Sequence, residues 1–219
     1  MNFNFIRNIF NVVFDAILPR RERRVRTESR TLEDIPLFPE SHDLLGVRIT
    51  TIMDYRNPEI EDLIRVLKYD GSAHAARLAA SVLADYLREE FASARSFSQR
   101  KILLVPVPLF KTRARERGWN QIDLVLKALP HEFRDGTLST HTPHALVRTR
   151  ATRAQTRLPR SERLSNVAGA FSLTDGALVR DSHIFLVDDV TTTGATLANA
   201  ANPLRRAGAK VTLLALARA

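Results

Sequence analysis

The hydrophobic and polar positions follow two different periods along the chain, and their alternation predicts an α/β protein. Short, almost wholly apolar runs at 101–108 (KILLVPVP) and 183–187 are typical of central strands in a parallel sheet. Segments 58–68 and 73–91 instead place apolar residues at helical spacing. Further strands are predicted at 47–55, 145–148 and 210–216, and further helices at 119–129 and 194–207. Strands that alternate with helices imply an open, mostly parallel, Rossmann-like sheet flanked by helices.

The first 45 residues follow a different pattern and are predicted to form an N-terminal arm, with the main domain at 46–219. Apolar residues at 6, 9, 10, 13, 14 and 17 predict an amphipathic helix packed on the domain or on a partner chain. A membrane-surface helix, assisted by the arginines of 20–26, is the alternative. Residues 19–43 are charged and aperiodic, which predicts a loosely held linker. No run reaches the length of a transmembrane span and no signal peptide is indicated, so a cytoplasmic protein is expected.

The passage HIFLVDDVTTTGAT carries the chemistry. Its apolar strand delivers two adjacent carboxylates, Asp188 and Asp189, at the carboxyl end, where open α/β sheets bind their ligands. A Thr-rich loop with Gly194 then opens into a helix, whose first N–H groups favour an anion. Acids beside an anion cradle suit a sugar phosphate, with the ribose hydroxyls on the carboxylates and the 5-phosphate in the loop. The residues assigned to the 5-phosphate are Thr191, Thr192, Thr193, Gly194, Ala195 and Thr196.

Three other interpretations of this passage are weaker. No strand is followed by GxGxxG, and GxxxxGK[ST] is absent, so neither a dinucleotide fold nor a P-loop is indicated. A helix cap would need one acid and gives no reason for a glycine-containing threonine loop.

Residues 184–196 resemble the thirteen-residue 5-phosphoribosyl-1-pyrophosphate (PRPP) signature of type I phosphoribosyltransferases at every position. Segments 63–71 (LIRVLKYDG), 103–109 (LLVPVPL), 117–121 (RGWNQ) and 155–171 extend the resemblance to the ComF/GntX-like branch, which is associated with competence and DNA uptake. The resemblance implies the type I fold and transfer of a phosphoribosyl group from PRPP to a nitrogenous acceptor. It also implies Mg²⁺ held through substrate phosphates, without a dedicated ligand cluster. PRPP or a nucleoside 5′-monophosphate is the expected ligand.

Two further segments are expected to complete such a site. The loop after the 101–108 strand is the candidate pyrophosphate loop; its residues are Val107, Pro108, Lys111, Arg113 and Arg117. The prolines could instead simply end the strand. Asn120 and Gln121 either contact a ligand or cap the next helix. Segment 150–166 resembles a mobile loop that covers the site, and a solvated basic loop is the alternative. The residues that match the family block there are Gln155, Arg157, Arg163 and Asn166.

Composition changes this picture in two ways. The chain has no cysteine, so it lacks the four-cysteine zinc module with which many members of that family begin, and disulfides are excluded. The net charge is +9, and residues 100–163 hold 14 Lys and Arg against 5 Asp and Glu, which accounts for the whole excess. A local excess of positive charge attracts a polyanion, so weak nucleic-acid binding is expected. A non-catalytic, nucleic-acid-associated or regulatory protein that keeps the pocket is therefore the alternative function. A homodimer is also plausible.

Overall fold

The computed structural model describes residues 20–150 and 169–219. Its main feature is a six-stranded mixed sheet, in the order β1-β2-β8-β7-β3-β4, in which every pair except β1–β2 is parallel. The strands are β1 (Glu40–Leu44), β2 (Val47–Asp54), β3 (Ile102–Pro106), β4 (Thr140–His141), β7 (His183–Thr191) and β8 (Lys210–Arg218). A separate antiparallel pair consists of β5 (Leu146–Arg148) and β6 (Phe171–Leu173). The predicted α/β fold with a mostly parallel sheet is confirmed.

Helices cover both faces of the sheet. The helices of the described residues are α1 (Arg20–Glu28), α2 (Pro58–Asp70), α3 (Ala73–Phe97), α4 (Lys111–Arg117), α5 (Gln121–Ala128), α6 (Gly176–Val179) and α7 (Ala195–Arg206). Short 3-10 turns lie at Leu32–Asp34 and His131–Phe133.

The core has two parts because successive strand side chains point to opposite faces. In β3, Leu104 joins the cluster under α2, α3 and α5, whereas Leu103 joins the cluster under α7 and the β5–β6 pair. In β7, Phe185 and Ile184 divide in the same way. The apolar runs of the sequence are thus strands buried on both faces.

Helix α2 shows how local sequence sets an element's bounds. Asn57 caps it by accepting a hydrogen bond from the Glu59 N–H at 2.8 Å, and Pro58 occupies the first turn, where no N–H is needed. Gly71 ends it in the left-handed conformation, with φ of 60°. The helix predicted for 194–207 is also present, at Ala195–Arg206, and Pro203 lies inside it.

The structure differs from the predicted linker at 19–43, because α1 lies within this segment and packs on α2. Arg23, Arg26 and Arg30 place nitrogens 3.4, 3.0 and 3.3 Å from the carboxylate of Asp62. Arg23 and Asp62 are buried, whereas Val25 is 62% exposed. Helix α1 is therefore held by ion pairs and not by an apolar stripe, and hydrophobic periodicity could not find it. The predicted amphipathic helix before residue 20 lies outside the described residues.

Candidate functional site at the carboxyl ends of β3 and β7

The chain leaves β3 and β7 toward opposite faces of the sheet. After β3 it continues into α4 and α5, and α5 packs with α2 and α3 on one face. After β7 it enters α7, which packs on the other face. The two strands are parallel neighbours, with Pro106 beside Val187. Their carboxyl ends form a topological switch point, where open α/β sheets bind ligands.

Asp188 and Asp189 lie at this switch point, near the carboxyl end of β7, where β7 still pairs with β8. The Asp189 N–H donates to Asp188 Oδ1 at 3.0 Å, and the Val190 N–H donates to Asp189 Oδ1 at 2.7 Å. Both acids are half-buried. A backbone N–H thus holds one oxygen of each carboxylate and leaves the second oxygen to other partners.

Asp188 lies in an environment that disfavours its charge. Burial raises the pKa of Asp188 well above its ordinary value of 3.8, and the neighbouring Asp189 carboxylate raises it further. The Arg148 guanidinium acts in the opposite direction. Burial in turn lowers the pKa of Arg148, as does the positive charge of Arg113. Arg148, Arg113 and Asp188 therefore share one electrostatic environment.

Asp189 is joined to a different cation through an amide. Its Oδ2 accepts a hydrogen bond from Gln121 Nε2 at 2.7 Å, and the Gln121 amide oxygen accepts one from Arg117. Gln121 is 4% exposed. Tyr55 also lies within range of the Asp189 charge; burial raises the pKa of Tyr55, and a hydrogen bond from Arg65 partly offsets this rise.

The loop after Thr191 approaches β1 and β2 closely at Gly194. This glycine has φ of 78°, and a Cβ atom there would lie 2.7 Å from Ile49 Cδ1 and 2.9 Å from Leu44 Cβ. Glycine is therefore required for both conformation and space. The Ala195 N–H donates to Thr193 Oγ1 at 3.4 Å at the start of α7.

The threonines that were predicted to bind phosphate have different exposures. Thr191 is buried as the last residue of β7, and its carbonyl accepts from the Ala219 N–H. Thr193 is 9% exposed, while Thr192 and Thr196 are half-buried. The loop Thr192–Thr196 thus lies directly beyond the two acids.

The predicted pyrophosphate loop lies beside these acids. The Val107 N–H donates to the Val187 carbonyl at 2.8 Å, so Val107 and Pro108 follow β3 along the end of β7. Lys111 and Arg113 are exposed on α4, whereas Arg117 is half-buried. Asn120 caps α5 through the Ile122 N–H, and its amide also donates to the Val107 carbonyl at 3.0 Å. Of the two alternatives for these side chains, Asn120 caps the helix, and Gln121 contacts the carboxylate.

Three residues join this site that sequence reasoning did not assign to it. Arg148 reaches it through the β5–β6 pairing, Tyr55 follows β2, and Gln121 was left undecided. Their placement depends on tertiary pairing, which leaves no local signal. Gln155, Arg157, Arg163 and Asn166 of the predicted mobile loop lie outside the described residues.

Within the described ranges, no group of three or more His, Asp or Glu side chains could hold a metal ion. None of the described helices is both long enough and apolar enough to cross a membrane.

The fold and the site define an α/β protein with a carboxylate pair and a glycine-containing loop at the switch point of a mostly parallel sheet. No family model matches the chain. Over 163 residues it is 34% identical to DNA utilization protein YhgH of Escherichia coli K12, covering 74% of this chain and 67% of that protein. It is 31% identical over 166 residues to competence protein ComFC of Streptococcus pneumoniae, covering 76% of this chain and 66% of that protein. Competence protein F of Haemophilus influenzae is 34% identical over 121 residues, 53% of this chain and 50% of that protein. The chain belongs to this ComF-like family.

Proposed function

We propose that the chain binds PRPP at residues 188–196 and transfers its phosphoribosyl group to a nitrogenous acceptor. The observation that carries this proposal is the adjacency of two carboxylates and a glycine-containing loop at a topological switch point. The mostly parallel sheet and the family signature support assignment to the type I phosphoribosyltransferase fold.

The transfer exchanges one bond at the anomeric carbon for another. The bond from C1 to the pyrophosphate oxygen breaks, and its electron pair leaves with pyrophosphate. The acceptor nitrogen forms the new bond to C1 and loses its proton. Charge builds up on the leaving group and on the ribose ring, so nearby cations and carboxylates lower the barrier. Arg117 lies within electrostatic range of Asp189 and Arg148 within range of Asp188, and Arg113 lies within range of both arginines.

The two carboxylates also fit a magnesium ion. Mg²⁺ prefers hard oxygen donors and keeps several waters, and it is often held by one or two carboxylates together with substrate phosphates. Asp188 and Asp189 are such donors, and no third acid completes a cage among the described residues. Bound through the substrate, Mg²⁺ would neutralise the pyrophosphate charge.

The test is calorimetry with PRPP and Mg²⁺, followed by a screen of nucleobases and other amines for pyrophosphate release. Wild type should bind PRPP, and the variant Asp188→Asn/Asp189→Asn should bind at least tenfold more weakly. Thr193→Val should also weaken binding, since a hydrogen bond to a charged group contributes roughly 1.5–3 kcal/mol. Equal affinity of wild type and the double Asp variant would remove the site from this proposal.

A second candidate function, nucleic-acid binding, is favoured by the opposite edge of the sheet. Cations from four separate segments surround the amino-terminal ends of β3, β7 and β8; we call this set the basic edge. Its members are Arg95, Arg100, Lys101, Arg180, Arg205, Arg206 and Lys210. Burial, together with the positive charges of Lys210 and Arg100, lowers the pKa of His183, at the start of β7, to about 4.

A groove of about 240 Å³ opens on this edge and is lined by Arg95, Arg100 and Lys101 together with Ser98 and Thr140. Phe97 lies beside it in the chain and is 85% exposed. A basic groove with an exposed aromatic ring is typical of surfaces that bind single-stranded nucleic acid.

Fluorescence anisotropy with a labelled oligonucleotide would test this second function. Arg100→Glu/Lys101→Glu should abolish binding, while the control Arg24→Glu/Arg77→Glu, which reverses two exposed cations elsewhere, should reduce it much less. Affinity should fall steeply with salt as counterions are released. Equal losses in the two variants, or binding that does not depend on salt, would contradict a role for the basic edge.

A further inference from the structure

A single buried amide joins the two halves of the proposed site. Gln121 accepts a hydrogen bond from Arg117 and donates one to Asp189, at 2.7 Å. Arginine can only donate and an ionised carboxylate can only accept, so the Gln121 amide cannot flip by 180° without losing both hydrogen bonds. The orientation of Gln121 is therefore determined, and it links the position of Arg117 to that of Asp189.

The junction that carries this link is itself held in place. Gly118 ends α4 with φ of 84°, and its N–H donates to the Ala114 carbonyl at 2.9 Å. Trp119 Nε1 donates to the Leu67 carbonyl at 3.1 Å, and Asn120 is bonded to the Val107 carbonyl at 3.0 Å. The four-residue spacing from Arg117 to Gln121 thus spans a fixed turn between α4 and α5.

Arg117 is poised to bind an anion. It is half-buried, and within the described ranges no carboxylate lies at salt-bridge distance from it. The centre of the Tyr69 ring lies 6.0 Å from its guanidinium carbon. Burial lowers the pKa of Arg117, and the Asp189 charge opposes this shift from beyond Gln121. A half-buried cation with no carboxylate at salt-bridge distance is costly, so an anionic group at this position is stabilising.

We infer that Gln121 is a positioning residue that couples anion binding at Arg117 to ribose binding at Asp189. This inference rests on the proposed function. A ligand that holds Arg117 also holds Gln121, and Gln121 then holds the Asp189 carboxylate in its hydrogen-bonding position. The second ligand pays less to order the site, which is positive cooperativity. The site is consequently selective for a pentose phosphate that carries a second anionic group at C1, compared with a nucleoside monophosphate.

Calorimetry on the full chain with Mg²⁺ tests the coupling with two separate probes, ribose 5-phosphate and inorganic pyrophosphate. In wild type, saturating pyrophosphate should tighten ribose 5-phosphate binding about tenfold, within the usual range for coupled sites. Gln121→Leu should reduce this factor to less than twofold, whereas Gln99→Leu, the same change at an exposed glutamine far from the site, should leave it unchanged. Gln121→Glu should also abolish it, because the new carboxylate still accepts from Arg117 but repels Asp189.

A double-mutant cycle separates the link from a general loss of structure. Arg117→Met should by itself abolish the coupling. The coupling factor of Arg117→Met/Gln121→Leu should be no lower than that of either single variant. Independent binding of the two probes in wild type, or tenfold coupling that survives Gln121→Leu, would overturn the inference while leaving the proposed function intact. Failure of wild type to bind PRPP or either probe would overturn both.

Discussion

The two neighbouring acids at the end of β7 should affect stability in opposite directions when each is changed to asparagine. Burial and the Asp189 charge raise the pKa of Asp188. The folded state therefore favours the protonated form of Asp188 and is destabilised when the carboxyl ionises. Asp188→Asn removes this penalty and keeps an oxygen for the Asp189 N–H, so the variant should be more stable than wild type at pH 7. Each unit of the pKa rise corresponds to about 1.4 kcal/mol.

Asp189→Asn should instead be destabilising. One Asp189 oxygen accepts from the Val190 N–H and the other from Gln121 Nε2. Asparagine can replace only one of these acceptors, and Gln121 cannot turn over without losing Arg117. One buried donor is left without a partner, at a cost of about 1–3 kcal/mol. The adjacent substitutions should thus change the unfolding free energy in opposite directions, and their difference should exceed the cost of the lost hydrogen bond alone, about 1–3 kcal/mol.

Urea unfolding at pH 7 and at lower pH values would measure both effects. The stabilisation by Asp188→Asn should shrink as the pH falls through the folded pKa of Asp188, because the wild-type carboxyl then becomes protonated. Unchanged m-values would show that the denatured state is not responsible. If Asp188→Asn destabilised the protein as much as Asp189→Asn, the attraction of Arg148 would outweigh burial and repulsion, and the electrostatic description of the site would be wrong.

Three further predictions concern the loop at Gly194, helix α1 and the predicted mobile loop at 150–166. Gly194→Ala should lower the unfolding free energy by at least 1–2 kcal/mol, because alanine is strained at positive φ and its Cβ would meet Ile49; chemical denaturation measures this, and a neutral result would contradict the close approach. Asp62→Asn should cost about 3–5 kcal/mol, since it removes the half of the ion-pair cluster that Arg23, Arg26 and Arg30 share; unchanged thermal melting would refute the docking of α1. Trypsin should cut segment 150–166 of the free and AMP-bound protein, and PRPP with Mg²⁺ should protect it. Equal cleavage in all three states would contradict a mobile loop that covers the site and would favour the non-catalytic alternative.

Sequence reasoning succeeded where the determining interactions are local. Fully apolar runs predicted β3 and β7, because strands buried on both faces show no polar alternation. The helical spacing of apolar residues over 58–68 predicted α2, which Pro58 begins and Gly71 ends in the structure. The order of strand, acids, loop and helix at the switch point was predictable for the same reason, since these elements are contiguous from 183 to 206.

The sequence could not reveal how cations from distant segments are grouped in the fold. The excess of cations at 100–163 suggested one basic region, yet the fold divides it. Arg117 and Arg148 approach the carboxylate pair, whereas Arg100 and Lys101 join Lys210 at the opposite edge of the sheet. A count along the chain cannot separate these groups, because strand pairing decides which edge each one reaches.

This division of charge bears on how the two proposed functions could coexist. Parallel strands place all their carboxyl ends at one edge and all their amino ends at the other. The 5-strand parallel run from β2 to β4 therefore holds the carboxylate pair at one edge and Lys101 and Lys210 at the other. A polyanion on the basic edge would not compete with a sugar phosphate at Asp188 and Asp189 for the same cations. Nucleic-acid binding and PRPP binding should then be separable by mutation, so that Arg100→Glu/Lys101→Glu leaves PRPP affinity unchanged in calorimetry. A loss of PRPP binding in that variant would mean that both ligands depend on one site.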